Sequence, residues 1–339
     1  MLDADKLSGV LLGTAVGDSL GLPTENLSPE RLPRLFPGAL RHRLLPGIGM
    51  VSDDTEHTAL TALSLLDAPD DPARFARRLA WRLRFWFASL PAGVGMATAR
   101  ACIKLWLGFP PTKSGVVSGG NGPSMRSALL GVYFADDPEL RRRYVTASAE
   151  LTHRGPQALV GALAVAELAA MEAKGSVDLD ALAALSSEPF WTEPFSKLRQ
   201  HLINGSTTAE YAAALGCSKG VTGYSMHSVP VALFAWLRHK PDATAALTSA
   251  IFCGGDTDSV GAVVGALAGA SLGTNAFPQK LRSGIRDWPW STSMLERLGA
   301  ALAAKSTAPL TPWPLIAVRN LGFLSIVLTH GIRRLFPPY

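Results

Sequence analysis

Gly254-Gly255-Asp256-Thr257-Asp258-Ser259 places two carboxylates and two hydroxyls directly before a long apolar segment, residues 260–272. The small and aliphatic residues of that segment predict a buried helix. The two glycines allow a tight turn into this helix. Acids are favoured at its start, because the backbone N–H groups there carry partial positive charge. The stretch therefore predicts a buried helix that begins with a cluster of acids.

A second stretch of the same chemistry, Ser52-Asp53-Asp54-Thr55, also precedes an apolar helical run, residues 59–66. Either stretch alone is equally well explained as a helix cap, since Ser and Asp are common N-cap residues. Two such motifs in one compact chain favour a shared site instead. We therefore expect the two motifs to meet in the fold and to share metal ions.

The side chains of both motifs offer only oxygen to a ligand. Carboxylates that converge without a cation repel one another and raise each other's pKa. Oxygen ligands without His or Cys suit a hard cation, Mg²⁺ or Mn²⁺, better than zinc. Two clusters could hold two ions about 3.5–4 Å apart, the spacing with which two-metal sites position an attacking water.

Composition limits the class of protein. The chain has 339 residues, of which 47% are hydrophobic and 17% charged, with a net charge of +5. This composition supports a large core, and the sequence contains no nucleic-acid-binding motif. Three cysteines without metal-binding spacing fit a reducing compartment, and the acidic N-terminus lacks the basic region of a signal peptide. We predict a cytoplasmic protein.

Helical periodicity runs along the chain between Gly- and Pro-rich breaks, and no group of segments shows strand alternation. The predicted fold is all-α, with one domain over residues 1–305 and a Pro-rich linker and amphipathic tail over residues 306–339. No membrane-spanning helix is expected, since such a helix needs ~18 consecutive apolar residues without charges. The tail is expected to dock on the body, with subunit pairing or membrane-surface contact as alternatives.

Short motifs along residues 8–275 resemble those of the ADP-ribosylglycohydrolase family, which includes the dinitrogen-reductase-activating glycohydrolases and the vertebrate ADP-ribosylhydrolases. They follow the family's order, and the ordered set is more specific than any single motif. The motifs are residues 13–25 (GTAVGDSLGLPTE), 52–55 (SDDT), 120–126 (GNGPSMR), Thr152-His153, Gly223-Tyr224 and residues 254–259 (GGDTDS).

This resemblance implies an all-α fold with a binuclear Mg²⁺ or Mn²⁺ site. Glu25 and Asp54 are the implied catalytic residues. Glu25 would orient or deprotonate the attacking water, or move aside when substrate enters. The implied metal ligands are Ser52, Asp53, Asp54, Asp256, Asp258 and Ser259, with Asp258 expected to bridge both ions.

The resemblance also implies a substrate groove. A Gly/Ser loop would hold the diphosphate and ribose of ADP-ribose, His153 would contact the ribose or phosphate, and Tyr224 would lie near the adenosine. The residues alone leave simpler interpretations open: the loop could be a flexible turn, His153 a structural histidine and Tyr224 a core tyrosine. The loop residues are Ser118, Gly119, Gly120, Asn121 and Gly122.

Several positions lie beside the predicted site. Arg126 is expected to pair with a buried acid such as Asp18. Ser52 and Ser259 stand where many members carry Thr, and Glu56-His57 is expected at the rim, where it would affect the leaving group.

The predicted activity is metal-dependent release of ADP-ribose from an ADP-ribosylated protein or small molecule. An arginine N-glycosidic bond is favoured over a serine or small-molecule O-linkage. The alternatives are an ADP-ribose-binding module with little catalysis, a scaffold that uses the tail, and a metal-dependent phosphoesterase.

Overall fold

The computed structural model describes residues 2–307, 313–334 and 336. Within these ranges the chain forms eighteen α-helices and isolated β-bridges but no sheet, which confirms the all-α prediction. The helices are α1 (Ala4–Gly21), α2 (Leu32–Leu35), α3 (Asp53–Asp67), α4 (Pro72–Ala88), α5 (Met96–Trp106), α6 (Pro111–Ser114), α7 (Ala128–Tyr133), α8 (Pro138–Glu150), α9 (Pro156–Lys174), α10 (Leu179–Ala183), α11 (Pro189–Ile203), α12 (Thr208–Ala214), α13 (Ser225–His239), α14 (Ala243–Ile251), α15 (Thr257–Leu272), α16 (Gln279–Arg282), α17 (Thr292–Ala304) and α18 (Trp313–Arg333). Short 3₁₀ turns cover Leu22–Thr24, Ser124–Arg126 and Gly273–Asn275.

Helices α1 and α15 form the centre of the fold and lie antiparallel with their backbones in contact. Glycines spaced four residues apart line one face of each helix. A Cβ on Gly13 would lie 2.0 Å from the carbonyl oxygen of Gly265, so no side chain fits between the helices there. The opposed pairs are Gly9–Gly269, Gly13–Gly265 and Gly17–Gly261.

This glycine ladder decides which chain segments meet. Because the helices are antiparallel, the C-terminus of α1 lies beside the N-terminus of α15, where a Cβ on Gly21 would come within 2.2 Å of the Thr257 carbonyl oxygen. The Thr24 hydroxyl also donates to Thr257 Oγ1 at 3.0 Å. The segment that carries Glu25 is therefore held next to Asp256 and Asp258.

Asp18 on α1 brings the N-terminus of α3 to the same end of the molecule. Its fully buried carboxylate accepts bonds from the Ser52 amide at 2.9 Å, from the Thr55 amide at 3.2 Å and from the Thr55 hydroxyl at 2.5 Å. Burial raises the pKa of Asp18 to about 6, and these hydrogen bonds partly oppose the rise. Both acidic motifs are thus fixed to α1, one through Asp18 and one through the glycine ladder.

Backbone hydrogen bonds join the loops at this end of the molecule. The Asn121 amide donates to the Gly223 carbonyl at 2.9 Å, and the Asp256 amide donates to Val221 at 2.7 Å. The Asn26 amide donates to the Gly255 carbonyl at 2.7 Å. Four loops distant in sequence therefore form one connected surface.

Residues 123–134 do not form one continuous helix, because the chain makes a 3₁₀ turn at Ser124–Arg126 before α7 begins at Ala128. The break follows the loop at Asn121, whose carbonyl accepts the Ser124 amide at 2.7 Å. The turn sets Arg126 into the core instead of along a helix face.

Helix α18 packs on the body through a few buried residues. Phe323 is buried, and Asn320 Nδ2 donates to the Ser89 carbonyl at 2.9 Å. The predicted linker prolines Pro309 and Pro312 lie outside the described residues. The domain boundary at residue 305 stays a prediction.

The expectation about membrane-spanning segments needs correction. In the described part of the chain, two helices are long and apolar enough to cross a membrane by length and composition, over Pro156–Lys174 and Pro314–Arg333. The first is a mostly buried core helix, whereas only 11% of the second is buried. Counting charge-free runs missed the second because Arg319 interrupts it.

Candidate active site

The two acidic motifs meet at the joined N-termini of α3 and α15. The Ser259 hydroxyl donates to Asp54 Oδ2 at 3.2 Å, and the Ser52 hydroxyl donates to the same oxygen at 3.3 Å. Residues 205 positions apart in the chain are thereby in direct contact.

The acids at this point lie in an environment that disfavours their charged forms. Burial raises the pKa of Asp54 well above its usual range, and the charges of Asp53 and Asp18 add to the rise. Burial raises the pKa of Asp258 in the same way, helped by the charges of Glu25 and Asp256. Such an arrangement stores repulsion that a bound cation would relieve.

Helix capping explains one motif better than the other. Ser52 is the N-cap of α3, and its hydroxyl accepts the Asp54 amide at 3.4 Å. Asp256 occupies the N-cap position of α15 but makes no side-chain cap bond. Its carboxylate instead accepts Asn121 Nδ2 at 2.7 Å, which ties the start of α15 to the loop that carries Asn121.

The residues fit a hard cation in donor chemistry. Asp54 Oδ1 is buried without a hydrogen-bond partner among the described residues. Carboxylate and hydroxyl oxygens are the ligands that Mg²⁺ and Mn²⁺ take. Within the described ranges, no three His, Cys, Asp or Glu side chains are already arranged to hold a metal ion. The acids would therefore have to rotate toward a common point to ligate one.

Glu25 lies on the segment that follows α1. Burial and the charge of Asp256 raise the pKa of its carboxyl, while a hydrogen bond from Asn26 and the charge of Arg334 lower it. Asn26 Nδ2 donates to Glu25 Oε1 at 3.1 Å. Glu25 thus faces the acids of α15 from a loop and not from a helix.

The glycines of the predicted phosphate loop are required by the rings beside them. A Cβ on Gly119 would lie 2.8 Å from Tyr224 Cε2, and one on Gly122 would lie 2.8 Å from His153 Cε1. The Gly120 amide donates to the Ser118 hydroxyl at 3.2 Å. The loop therefore follows the faces of Tyr224 and His153 closely.

His153 is buried beneath this loop. Its Nδ1 pairs with Thr152 Oγ1 at 2.9 Å. Burial and the nearby Arg126 cation lower the pKa of His153 to about 3, so the ring is neutral at pH 7. It supports the loop and carries no positive charge that would attract a phosphate. Its predicted contact with substrate stays a prediction.

Tyr224 is not a core tyrosine, since 37% of it is exposed. It is the N-cap residue of α13 and forms a bridge with Gly120. A Cβ on the preceding Gly223 would lie 3.4 Å from Asp256 Oδ2. The tyrosine ring therefore stands at the surface, one residue from the acid cluster.

The expected pair between Arg126 and Asp18 is wrong. Arg126 is fully buried and donates to the Ser148 carbonyl at 2.9 Å, to Thr152 Oγ1 at 2.9 Å and to the Gly122 carbonyl at 3.1 Å. Asp18 is already satisfied by the amides and hydroxyl at the start of α3. Arg126 is thus a structural support of the loop.

The expected position of Glu56-His57 at the rim is also wrong. Both side chains are buried, and Glu56 accepts Trp86 Nε1 at 2.6 Å and Arg319 at 2.8 Å. The helical period turns residues 56 and 57 away from the loops and into the body.

Sequence reasoning missed Asp18 as a residue that organises the site. The available signal was a single acid after the uncharged residues 7–17 of α1, because a buried carboxylate needs several hydrogen bonds. It also missed the contacts of α18, which no motif indicated.

Comparison with known proteins identifies the family of this chain and agrees with its fold. The sequence profile of the ADP-ribosylglycohydrolase family matches residues 2–308. The chain belongs to the ADP-ribosylglycohydrolase family. Its members are glycosyl hydrolases, and this ADP-ribosylglycohydrolase is therefore an enzyme of that class.

Individual relatives cover most of the chain. An uncharacterized protein of Archaeoglobus fulgidus is 32% identical, over 84% of this chain and 92% of its own length. The ADP-ribosyl-[dinitrogen reductase] glycohydrolase of Rhodospirillum rubrum is 26% identical, over 81% of this chain and 88% of its own. A solved structure, described as an ADP-ribosylglycohydrolase-related protein complex, aligns with a TM-score of 0.65 at 30% identity, over 89% of this chain and 98% of that one.

Proposed function

We propose that this ADP-ribosylglycohydrolase releases ADP-ribose from an ADP-ribosylated acceptor and that the reaction depends on Mg²⁺ or Mn²⁺. The observation that carries the proposal is the meeting of Asp54 and Ser259 beside Asp256 and Asp258. There, Asp54 Oδ1 is buried without a partner among the described residues. Buried carboxylates that repel one another would destabilise the fold if no cation bound between them.

The residues proposed to hold the ions are Ser52, Asp53, Asp54, Asp256, Asp258 and Ser259. When bound, two divalent cations supply positive charge that neutralises the carboxylates, binds ribose hydroxyls and favours an activated water. Asn121 holds the carboxylate of Asp256 in place through its amide.

Glu25 is proposed to hold the proton of the attacking water. A carboxylate beside other acids is a stronger base than one in solvent, because its pKa is raised. Water adds to C1″ of the distal ribose as the bond to the acceptor nitrogen or oxygen breaks. The water proton moves to Glu25, and the leaving group takes up a proton. The products are ADP-ribose and the unmodified acceptor.

The groove beyond the acids is proposed to bind the rest of ADP-ribose. The exposed Tyr224 ring offers an apolar face to the adenosine. The loop from Ser118 to Gly122 lies close to that ring. Its Gly120 and Asn121 amides already bond within the protein, so the diphosphate would bind the other backbone amides of the loop.

An arginine N-glycosidic linkage is proposed as the bond that is cleaved, with serine or small-molecule O-linkages as alternatives. The Rhodospirillum rubrum relative, whose name gives a protein acceptor, supports a protein substrate. Purified protein would be incubated with ADP-ribosylated arginine and serine peptides, with Mn²⁺ or with a chelator. We expect metal-dependent release of ADP-ribose from the arginine peptide.

An inactive variant and a matched control complete the experiment. Asp258→Asn should abolish release, whereas Asp70→Asn, at an exposed aspartate three residues beyond the C-terminal end of α3, should not change it. If calorimetry shows that the protein binds ADP-ribose but neither peptide releases it, the hydrolase proposal is contradicted and an ADP-ribose-binding module is supported.

A further inference from the structure

The C-terminal helix α18 touches the active-site segments at two separate points. It lies beyond residue 308, where the match to the family ends. Arg319 of α18 bonds to the backbone just before the first acidic motif, and Arg334, the residue directly after the helix, bonds to the backbone of the Glu25 segment.

Arg319 holds the residue that precedes Ser52. Its guanidinium donates to the Val51 carbonyl at 2.8 Å and to Asp287 Oδ1 at 2.9 Å. Asp287 Oδ2 in turn accepts the Val51 amide at 3.0 Å. Both polar groups of the Val51 backbone are therefore fixed by one buried ion pair.

The same guanidinium also holds the first turn of α3. It donates to Glu56 Oε1 at 2.8 Å, and the Arg319 and Glu56 side chains are only 9% and 2% exposed. A planar guanidinium that bonds Val51, Asp287 and Glu56 at once fixes the positions of these residues relative to one another. A flexible ammonium group would not do so. Residues 51 to 56 are thus bound to α18 on both sides of Asp53 and Asp54.

Arg334 holds the Glu25 segment in a similar way. One of its nitrogens donates to the Glu25 carbonyl at 2.8 Å, and the other donates to the Pro23 carbonyl. His330 Nε2 also pairs with Pro23 at 3.2 Å. On its other side the segment bonds to Gly255 through Asn26. Glu25 therefore sits between α15 and α18.

We propose that α18 is a brace for the active site, in which Arg319 and Arg334 are positioning residues for the acids and for Glu25. Arg319 and Arg334 are fifteen positions apart, a distance of about 22 Å along α18 and the residue that directly follows it. One rigid element therefore sets the distance between the two segments. This inference rests on the proposed function for its kinetic consequences but not for its structural ones.

The test uses the full-length protein with Arg334→Met and, as a matched control, Arg143→Met, which removes the same charge from an exposed position on α8. Arg334→Met should lower kcat on the ADP-ribosylated arginine peptide about 10- to 100-fold, because small displacements of a reacting group cost that much. KM should change less than about 3-fold, since the groove at Tyr224 is untouched. Arg334→Lys, which offers a single charged group in place of the fork, should recover part of the rate.

A second readout does not depend on turnover. Amide hydrogen exchange over residues 22–30 should quicken in Arg334→Met and stay as in the wild type in Arg143→Met. Arg319→Lys, which keeps the buried charge, should weaken Mn²⁺ binding measured by calorimetry about 10-fold or more. Arg319→Met would leave two buried acids unpaired, so the lysine variant is the informative one.

The outcomes separate the two proposals. A wild-type protein that binds Mn²⁺ but releases no ADP-ribose contradicts the hydrolase, while faster exchange in Arg334→Met still supports the brace. Unchanged exchange over residues 22–30, or a kcat for Arg334→Met within about 3-fold of an active wild type, overturns the brace and leaves the hydrolase intact.

Discussion

Individual acids at the site are in conflict with the stability of the fold. Burial raises the pKa values of Asp53, Asp54 and Asp258 well above the usual range, and the charges of neighbouring acids add to the rise. Residues that break local rules in this way are expected at functional sites, since they would be lost if stability alone mattered.

The conflict predicts opposite effects of one substitution on stability and activity. Asp54→Asn should reduce the rate of ADP-ribose release about 100-fold or more, because it removes a metal-ligand charge. In the presence of a chelator it should raise the free energy of unfolding by about 1 kcal/mol, because one repelling carboxylate is gone. Peptide assays and urea unfolding measure the two effects, with Asp70→Asn as the control. A variant destabilised in chelator would contradict this account of the acids.

His153 predicts a dependence of stability on pH. Its pKa is lowered to about 3 by burial and by Arg126, whereas an unfolded chain has its usual value of 6.5. As pH falls below 6.5, His153 binds a proton in the unfolded chain but stays neutral in the folded protein. The free energy of unfolding therefore decreases toward low pH.

The corresponding experiment compares wild type with His153→Asn. Between pH 7 and pH 4.5 the wild type should lose about 2–3 kcal/mol of unfolding free energy that the variant does not lose. The stability difference between the two proteins, measured by urea unfolding, should shrink by that amount. An equal difference at both pH values would show that the folded His153 titrates normally.

At the scale of the element, the α1–α15 pair decides where the site forms. Its glycine ladder lets the two backbones touch, and this contact fixes the axial register of one helix against the other. Shifting α15 by one turn would move Asp258 about 5.4 Å along α1 and separate it from Asp54.

The ladder predicts that even alanine is too large at its centre. Gly13→Ala should cost about 3 kcal/mol or more, since the added Cβ meets backbone and not a movable side chain. Gly322→Ala, also within a helix but with open space around it, should instead gain about 0.5–1 kcal/mol from the unfolded state. Thermal and urea unfolding of both variants check the pair. Similar stabilities for the two variants would mean that the helices do not touch as described.

At the scale of the whole molecule, the site exists only where chain segments near residues 25, 54, 121 and 256 converge. Helix α18 adds a further set of contacts from outside the family-matched region. Binding of cations to the assembled acids should therefore stabilise the entire fold and not one loop.

Metal binding should be visible as a change in global stability. At Mn²⁺ concentrations 100-fold above its dissociation constant, the free energy of unfolding should rise by about 2.7 kcal/mol. The rise should continue with concentration and should disappear in Asp258→Asn. A stability that does not respond to Mn²⁺ or Mg²⁺ would remove the support for a metal-dependent reaction.

Much of this molecule could be predicted from its sequence because the signals are local. Helical periodicity predicts the all-α fold, and the apolar run after Ser259 predicts the buried α15. The two acidic motifs predict oxygen chemistry from residue types alone. The order of short motifs predicts the family, which the match over residues 2–308 confirms.

Two of the errors concern the partners of buried side chains. The sequence suggests Asp18 as the partner of Arg126, but the Asp18 carboxylate accepts its hydrogen bonds from Ser52 and Thr55 at the start of α3. It places Glu56 at the rim, but the first turn of α3 directs this side chain toward Arg319. Partners of buried charges depend on which helix faces meet, and residue spacing within one segment contains no information about that.

The sequence by itself determined the helical fold, the carboxylate and hydroxyl side chains of the two acidic motifs, and the family of this protein. These follow from the composition and spacing of contiguous residues. Only the tertiary structure decided that Asp54 of α3 touches Ser259 of α15, that glycines face glycines between α1 and α15, and that the end of α18 reaches the Glu25 segment. These contacts join residues more than two hundred positions apart. Their geometry comes from the packing of whole helices against one another.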